Sequence, residues 1–288
     1  MVFHAERNTI PFECPFEISK NRPLDPETAR DPPSICPRIM GIEITWIKYT
    51  LASCHCRIVC GLRYKHCTLP PCIMHHIDVR LEKDVYDANN TLADHNAQHL
   101  KAHGVRAFDL LGAIGSGKTA LIERLVPLLE KKGLRAGAIA GDVYGDDDFK
   151  RIVALGVPAF NANTGKECHL DAHLVEHAID HLPLDAIDIL FIENVGNMVC
   201  PTDFRLGAEK RIVVVSSTEG DDVVNKHPMM FRDCTIGVIN KVDLAPLVGA
   251  NLDRMESDIR RYNPGMPVFR TNLKTGDGVA ALLDTILA

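Results

Sequence analysis

Val105-Arg106-Ala107-Phe108-Asp109-Leu110-Leu111, followed directly by Gly112-Ala113-Ile114-Gly115-Ser116-Gly117-Lys118-Thr119 and then by Ala120-Leu121-Ile122, decides the fold. An apolar run of strand length, a glycine-rich octapeptide and the start of a helical pattern form the context in which G-x-x-x-x-G-K-[ST] binds phosphate. Gly112, Gly115 and Gly117 let the backbone around Ser116 turn its N–H groups inward, and the following helix adds its positive end. Lys118 is positioned to reach the outer phosphates, and the Thr119 hydroxyl can ligate Mg²⁺.

Outward from this loop, short apolar runs alternate with helical segments. Further strands are expected at Arg135–Ala140, Val157–Asn161, Ile187–Ile192, Ile212–Ser216, Ile236–Ile239 and Val268–Thr271. Helices are expected near 118–132, 146–155, 170–181, 251–262 and 278–287. The alternation predicts an α/β P-loop NTPase over residues 105–288, with a mostly parallel sheet covered by helices on both faces. Upstream, Ile77, Leu81, Val85, Ala88 and Leu92 recur at three- and four-residue steps, which predicts an amphipathic helix over 74–104 closed by His103-Gly104. Residues 1–73 contain prolines at 11, 15, 23, 26, 32, 33, 37, 70 and 71 and no sustained periodicity, so this Cys/Pro-rich extension is read as irregular.

Two further elements belong to a nucleotide site. Asn240-Lys241-Val242-Asp243 follows an apolar strand and looks like the NKxD element of GTPases. The Asp243 carboxylate can accept from guanine N1–H and the exocyclic amine, whereas adenine offers no donors there and would leave the charge unpaired. This favours GTP and GDP as the nucleotides. Asp142 and Glu193 each end a strand and could hold Mg²⁺ or its water, with Lys118 and Thr119 completing the catalytic set, and Lys274 lies where a base-contacting loop is expected.

Charge and cysteines divide the chain near Met74. Residues 1–73 hold 9 Lys+Arg and 7 Asp+Glu of totals of 32 and 38, so the remainder holds 23 against 31 and is net −8, which argues against a nucleic-acid partner. Seven of the ten cysteines (14, 36, 54, 56, 60, 67 and 72) precede Met74, leaving Cys168, Cys200 and Cys234. No apolar run approaches the roughly 20 residues of a membrane span, and the N-terminus lacks a signal-type apolar core, so a cytoplasmic protein is expected. In a reducing compartment, cysteines are free thiols or metal ligands.

Cys168-His169 stands between a strand and a helix, and Cys200 lies seven residues past Glu193. Thiolate and imidazole suit Ni²⁺ or Zn²⁺, and a cysteine on a phosphate-sensing loop would move when the γ-phosphate is lost. Three ligands are fewer than a closed four-coordinate site wants, so pairing across a two-fold axis would complete it. His173 is a possible extra ligand, and Cys234 reads as core.

The motifs GAIGSGKT (112–119), NTGKECHLDAHLVEHA (163–178), LFIENVGNMVCP (190–201), STEGDD (217–222) and INKVDLA (239–245), in this order, resemble the HypB family. The likeness covers about residues 74–288. It implies a slow GTPase of the signal-recognition-particle and MinD class that delivers nickel during [NiFe] hydrogenase maturation. It also implies GTP-linked homodimerisation, a metal site at Cys168, His169 and Cys200, a HypA-like zinc-ribbon nickel chaperone as partner and the hydrogenase large subunit as client. The related urease chaperone UreG carries Cys-Pro-His where this chain has Cys200-Pro201-Thr202. A nucleotide-binding metal-storage or metal-sensing protein is the alternative from another class, supported by Cys54-His55-Cys56 and its neighbours and opposed by the complete nucleotide motifs. Because Met74-His75-His76-Ile77 resembles an ordinary family start, residues 1–73 are read as including upstream sequence outside the working protein, with metal storage or docking as the alternatives.

Overall fold

The computed structural model describes residues 72–288, with side chains from Lys83 onward. Seven strands, β1 (Arg106–Leu111), β2 (Ala136–Asp142), β3 (Ala159–Asn163), β4 (Ile189–Glu193), β5 (Lys210–Ser216), β6 (Ile236–Asn240) and β7 (Val268–Arg270), form one sheet in the order β3-β2-β4-β1-β5-β6-β7. Every neighbouring pair is parallel. The helices are α1 (Cys72–Ala102), α2 (Lys118–Lys131), α3 (Asp147–Val153), α4 (Ala172–Asp180), α5 (Val223–Lys226), α6 (Pro228–Asp233), α7 (Ala245–Val248), α8 (Leu252–Tyr262) and α9 (Val279–Leu287). The expected α/β sheet is therefore present, and each expected strand and helix lies within a few residues of its predicted bounds. The short α5, α6 and α7 were not anticipated, since four to six residues are too few to show helical periodicity. The readings for residues 1–71 lie outside the described residues, and α1 begins at Cys72.

The period of two along each strand divides the core. Phe108 and Leu110 of β1, with Ile212 and Val214 of β5, pack under α2 and α9 through Leu121, Ile122, Leu125 and Leu282. On the opposite face, Ala107, Leu190 and Ile192 meet α1 and α4 through Leu100, Val175 and Ile179. Further along that face, Leu111, Val213 and Val215 meet α5, α6 and α8 through Val224, Phe231 and Met255. Parallel strands buried on both faces read as continuous apolar runs, as these do. Asp109 is the exception, a carboxylate in the middle of β1 that is 1 % exposed.

Because all seven strands point the same way, their carboxyl ends converge on one edge. That edge carries the loop after β1, Asp142 at the end of β2, Glu193 at the end of β4 and Asn240 at the end of β6. Ligands of open α/β sheets bind at this edge.

Candidate functional site

A cleft of about 810 Å³ opens there, lined by Gly115, Gly117, Lys118 and Thr119 from the loop, Asp142, Asp148 and Glu193 from the acidic side, and Asn240, Lys241, Asp243 and Lys274 from the far end. The loop backbone depends on glycine at two close approaches. A β-carbon on Gly112 (φ +147) would sit 2.1 Å from the Val214 carbonyl oxygen, and one on Gly117 (φ +114) would sit 2.3 Å from Asn240 Nδ2. Gly112 and Ser116 are packed behind the loop, so of the sequence-predicted nucleotide residues these two shape the cradle instead of lining it.

Lys118 Nζ is folded onto the loop and donates to the carbonyls of Gly112 (3.2 Å) and Ala113 (3.1 Å). Burial lowers its pKa from the ordinary lysine value, and the charges of Glu193, Asp148, Glu219 and Asp142 act against that shift. Thr119 Oγ1 lies 2.8 Å from Glu193 Oε1 and 2.7 Å from Asp148 Oδ1. A hydroxyl has one proton to donate, so two ionised carboxylates cannot both be satisfied by it. Consistently, burial pushes the Glu193 carboxyl up to about 7, with Asp148 adding to the shift and Lys118 opposing it. Glu193 Oε2 is buried without a hydrogen-bond partner. A cluster of hard oxygen donors with unmet negative charge fits a Mg²⁺ ion. Asp142 lines the same cleft, but its Oδ1 accepts from the Val143 N–H at 2.6 Å. Sequence reasoning missed Asp148: it lies in the acidic run Asp146-Asp147-Asp148, where only the direction of α3 selects one carboxylate for Thr119.

At the far end, Asn240 ties three loops together. Its Nδ2 donates to the Ser116 carbonyl (2.9 Å), while its Oδ1 accepts from Leu273 N–H (3.2 Å) and Thr271 Oγ1 (3.3 Å). Lys241 takes a left-handed conformation (φ 58) and presents its carbonyl to Ser217 Oγ at 2.6 Å. That turn leaves the exposed Asp243 on the cleft wall with Lys274.

A second cluster lies beside the segment that follows β4. Cys168, His169 and Cys200 place one ligand atom each within 4.8 Å of one another, the one such group of three found among the described residues. Cys168 Sγ is 3.9 Å from His169 Nδ1. Hydrogen bonding to Cys200 raises the Cys168 thiol, with burial adding to it, and burial lowers the His169 imidazole, which keeps a ring nitrogen available as a ligand. The His169 ring stacks on Phe204 with centroids 3.9 Å apart, and Phe204 in turn meets Tyr86 of α1 at 5.3 Å. His173 is exposed on α4 and outside the group of three. Cys234 is buried in the core, where burial pushes its thiol up to about 12.

Residues 107–270 match the family model described as CobW/HypB/UreG, nucleotide-binding domain. The chain is also 52 % identical over 214 residues to the probable hydrogenase maturation factor HypB of Methanocaldococcus jannaschii, covering 74 % of this chain and 96 % of that one. The chain belongs to the HypB family. Escherichia coli HypB is 39 % identical over 201 residues, covering 70 % of this chain and 69 % of its own. Among solved structures, HypB from Archaeoglobus fulgidus is 44 % identical with a TM-score of 0.65, over 70 % of this chain and 98 % of its own. HypB from Helicobacter pylori in complex with nickel is 31 % identical with a TM-score of 0.66, over 69 % and 94 %. This HypB-family chain is accordingly a P-loop GTPase, and its likeness is to HypB ahead of UreG.

Contacts centred on Asn194, Asp109 and Arg211, which motif reading missed, connect the two sites in this HypB-family chain. Asn194, the residue after Glu193, accepts through Oδ1 from Leu170 N–H (3.1 Å), next to His169, and its Nδ2 donates to Asp109 Oδ1 (3.4 Å). Asp109 Oδ2 pairs with Arg211 Nε at 3.2 Å. Arg211 donates onward to the carbonyls of Thr202 (3.0 Å) and Pro201 (2.5 Å), directly after Cys200. From α1, Asn89 accepts from Ala172 N–H and donates to the Arg205 carbonyl, both at 2.9 Å. Asn96 donates to the carbonyls of Ala172 (2.8 Å) and Leu206 (3.3 Å). The helix thus clamps the chain just beyond both segments of the Cys/His cluster. The available signal was Asp109 inside a buried apolar strand, which must be paired. The asparagines were missed because the face of α1 expected to pack is not the one that does: Val85 and Ala88 are exposed, while Asn89, Ala93, Asn96 and Leu100 are buried.

Proposed function

We propose that this protein hydrolyses GTP to time the handling of nickel for the maturation of a [NiFe] hydrogenase. The observation that carries the reading is the convergence of Cys168, His169 and Cys200 on the segments that flank Glu193-Asn194, so that one strand end serves both sites. The phosphates lie over residues 112–119, with Lys118 turned toward the outer ones. Thr119, Glu193 and Asp148 are the residues that hold Mg²⁺, with Asp142 beside them. Mg²⁺, when bound, neutralises charge on the phosphate oxygens. Asp243 selects guanine, with Asn240 holding its loop and Lys241 and Lys274 at the rim. Ni²⁺ is the cargo, although the same thiolate and imidazole donors serve Zn²⁺. The Helicobacter pylori relative solved with nickel supports this choice.

Two copies paired in response to GTP would supply the ligands that one copy lacks. A HypA-like zinc-ribbon protein as the nickel-handling partner and the hydrogenase large subunit as client complete the reading, in the cytoplasm. No helix among the described residues is long and apolar enough to cross a membrane.

The test is Ni²⁺ affinity by chelator competition in GDP and in a non-hydrolysable GTP analogue. Couplings of this kind amount to about 5–150-fold, and metal must change nucleotide affinity by the same factor. Equal affinities in the two states would overturn the timing role. Separately, Asp243→Asn is expected to weaken GTP about a hundred-fold or more, because two charge-assisted bonds are lost. Xanthosine triphosphate should gain relative to GTP, since the amide donates where the carboxylate accepted. An unchanged preference would remove Asp243 from the base site.

A further inference from the structure

Three histidines follow one another at four-residue steps along the end of α1: His95, His99 and His103. The His103 N–H still points to the His99 carbonyl at 3.4 Å, so the helical spacing persists past Ala102. The rings form a ladder, with centroids 6.3 Å apart between His95 and His99 and 5.3 Å between His99 and His103. Both end rungs have Nδ1 engaged by a carboxylate from elsewhere in the fold. His95 Nδ1 is 3.1 Å from Glu176 Oε1 on α4, and His103 Nδ1 is 3.1 Å from Asp185 Oδ1. His99 is half-buried between them, and His95 and His103 are exposed.

This arrangement has a specific chemical meaning. A carboxylate on Nδ1 fixes the tautomer, so the free electron pair is on Nε2. Two imidazoles at i and i+4 on one helix face form a pair able to grip one metal ion, the spacing used by H-x-x-x-H zinc sites. Surface histidines usually pair with nothing in particular. Here two of the three are held by carboxylates more than 80 residues away in sequence, as ligating histidines are.

We propose that His99 and His103, with Asp185 orienting His103, form a second binding site for a borderline divalent cation such as Ni²⁺, separate from Cys168, His169 and Cys200. The imidazoles supply two ligands and water the rest, so the ion exchanges readily, as suits a site that gathers cargo. The site lies where α1 leads into β1 and where the turn holding Asp185 leads into β4, at the edge of the sheet opposite the one that carries Cys168, His169 and Cys200. The inference does not depend on GTP timing.

The experiment uses the full chain carrying Cys168→Ser and Cys200→Ser, with NiSO₄ as the probe. Histidine modification by diethyl pyrocarbonate is mapped residue by residue by mass spectrometry, which separates this site from any metal on the N-terminal cysteines. Ni²⁺, but not Mg²⁺, is expected to protect His99 and His103 while leaving His227 reactive. By equilibrium dialysis, His99→Gln should lose one bound Ni²⁺ per chain. Asp185→Asn, which keeps both imidazoles and lies on the surface, should weaken that binding about 10–100-fold, as loss of an orienting partner does. Equal modification of His99 and His103 with and without Ni²⁺, or undiminished stoichiometry in a folded His99→Gln protein, would overturn the proposal.

Discussion

Lys118→Ala is expected to lower GTP turnover by about 10²–10³-fold, the usual cost of removing one preorganised group that meets developing charge. Lys118 is 6 % exposed, and its ammonium is held on the loop carbonyls of Gly112 and Ala113, fixed where the outer phosphates are expected. The substitution has a second, opposite-looking consequence. It removes a buried cation that burial disfavours, yet it deprives Glu193 of the charge that most opposes its raised pKa. A carboxyl whose folded pKa is raised to about 7 contributes stability at low pH and loses it as pH rises from the unfolded value, about 4.3, through 7. Without Lys118 that loss should extend to higher pH. Thermal unfolding without nucleotide or Mg²⁺ should therefore show Lys118→Ala falling further below the parent at pH 8 than at pH 6. Turnover indistinguishable from the parent would place the phosphates elsewhere, and a parallel pH dependence would uncouple Lys118 from Glu193.

Cys200→Ala should have the largest effect on metal. Removing one of three converging donors should cost at least the upper end of what loss of an outer partner does, about 100-fold or more in Ni²⁺ affinity. GDP affinity should stay close to that of the parent, because Cys200 does not line the nucleotide cleft. The nucleotide-dependent difference in metal affinity should largely vanish as well. The thiolate-to-nickel absorbance, read beside the competition titration, distinguishes loss of this site from general loss of binding. A nucleotide-dependent difference retained in Cys200→Ala would move the coupled metal to other ligands, with Cys54, Cys56, Cys60 and Cys67 the first to examine.

What the sequence disclosed and what it concealed follow from the range of the interactions. The strands were legible because β1, β4 and β5 are buried on both faces and have few polar interruptions, and the phosphate loop because its chemistry is written in eight consecutive residues. Asp243 and Lys274 could be placed on one cleft because strand ends of a parallel sheet share an edge. Contacts that cross the fold left only faint marks. Asp148 was one of three adjacent aspartates until α3 gave it a direction. Phe204 became the platform for His169 through a turn that no motif marks. Arg211 reads as an ordinary strand-entry residue, yet it reaches over the Asp109 carboxylate to hold the backbone after Cys200.

The position of Asn194 bears on how an ion leaves. A metal held by several donors normally escapes one bond at a time, and each broken bond tends to re-form before the next one goes. Here a single amide reaches Leu170 on one side and, through Asp109 and Arg211, the carbonyls beyond Cys200 on the other. If Cys168, His169 and Cys200 hold an ion, displacing that amide would loosen both arms of the chelate together and remove the opportunity for recapture. Residence time would then depend on the posture of one side chain.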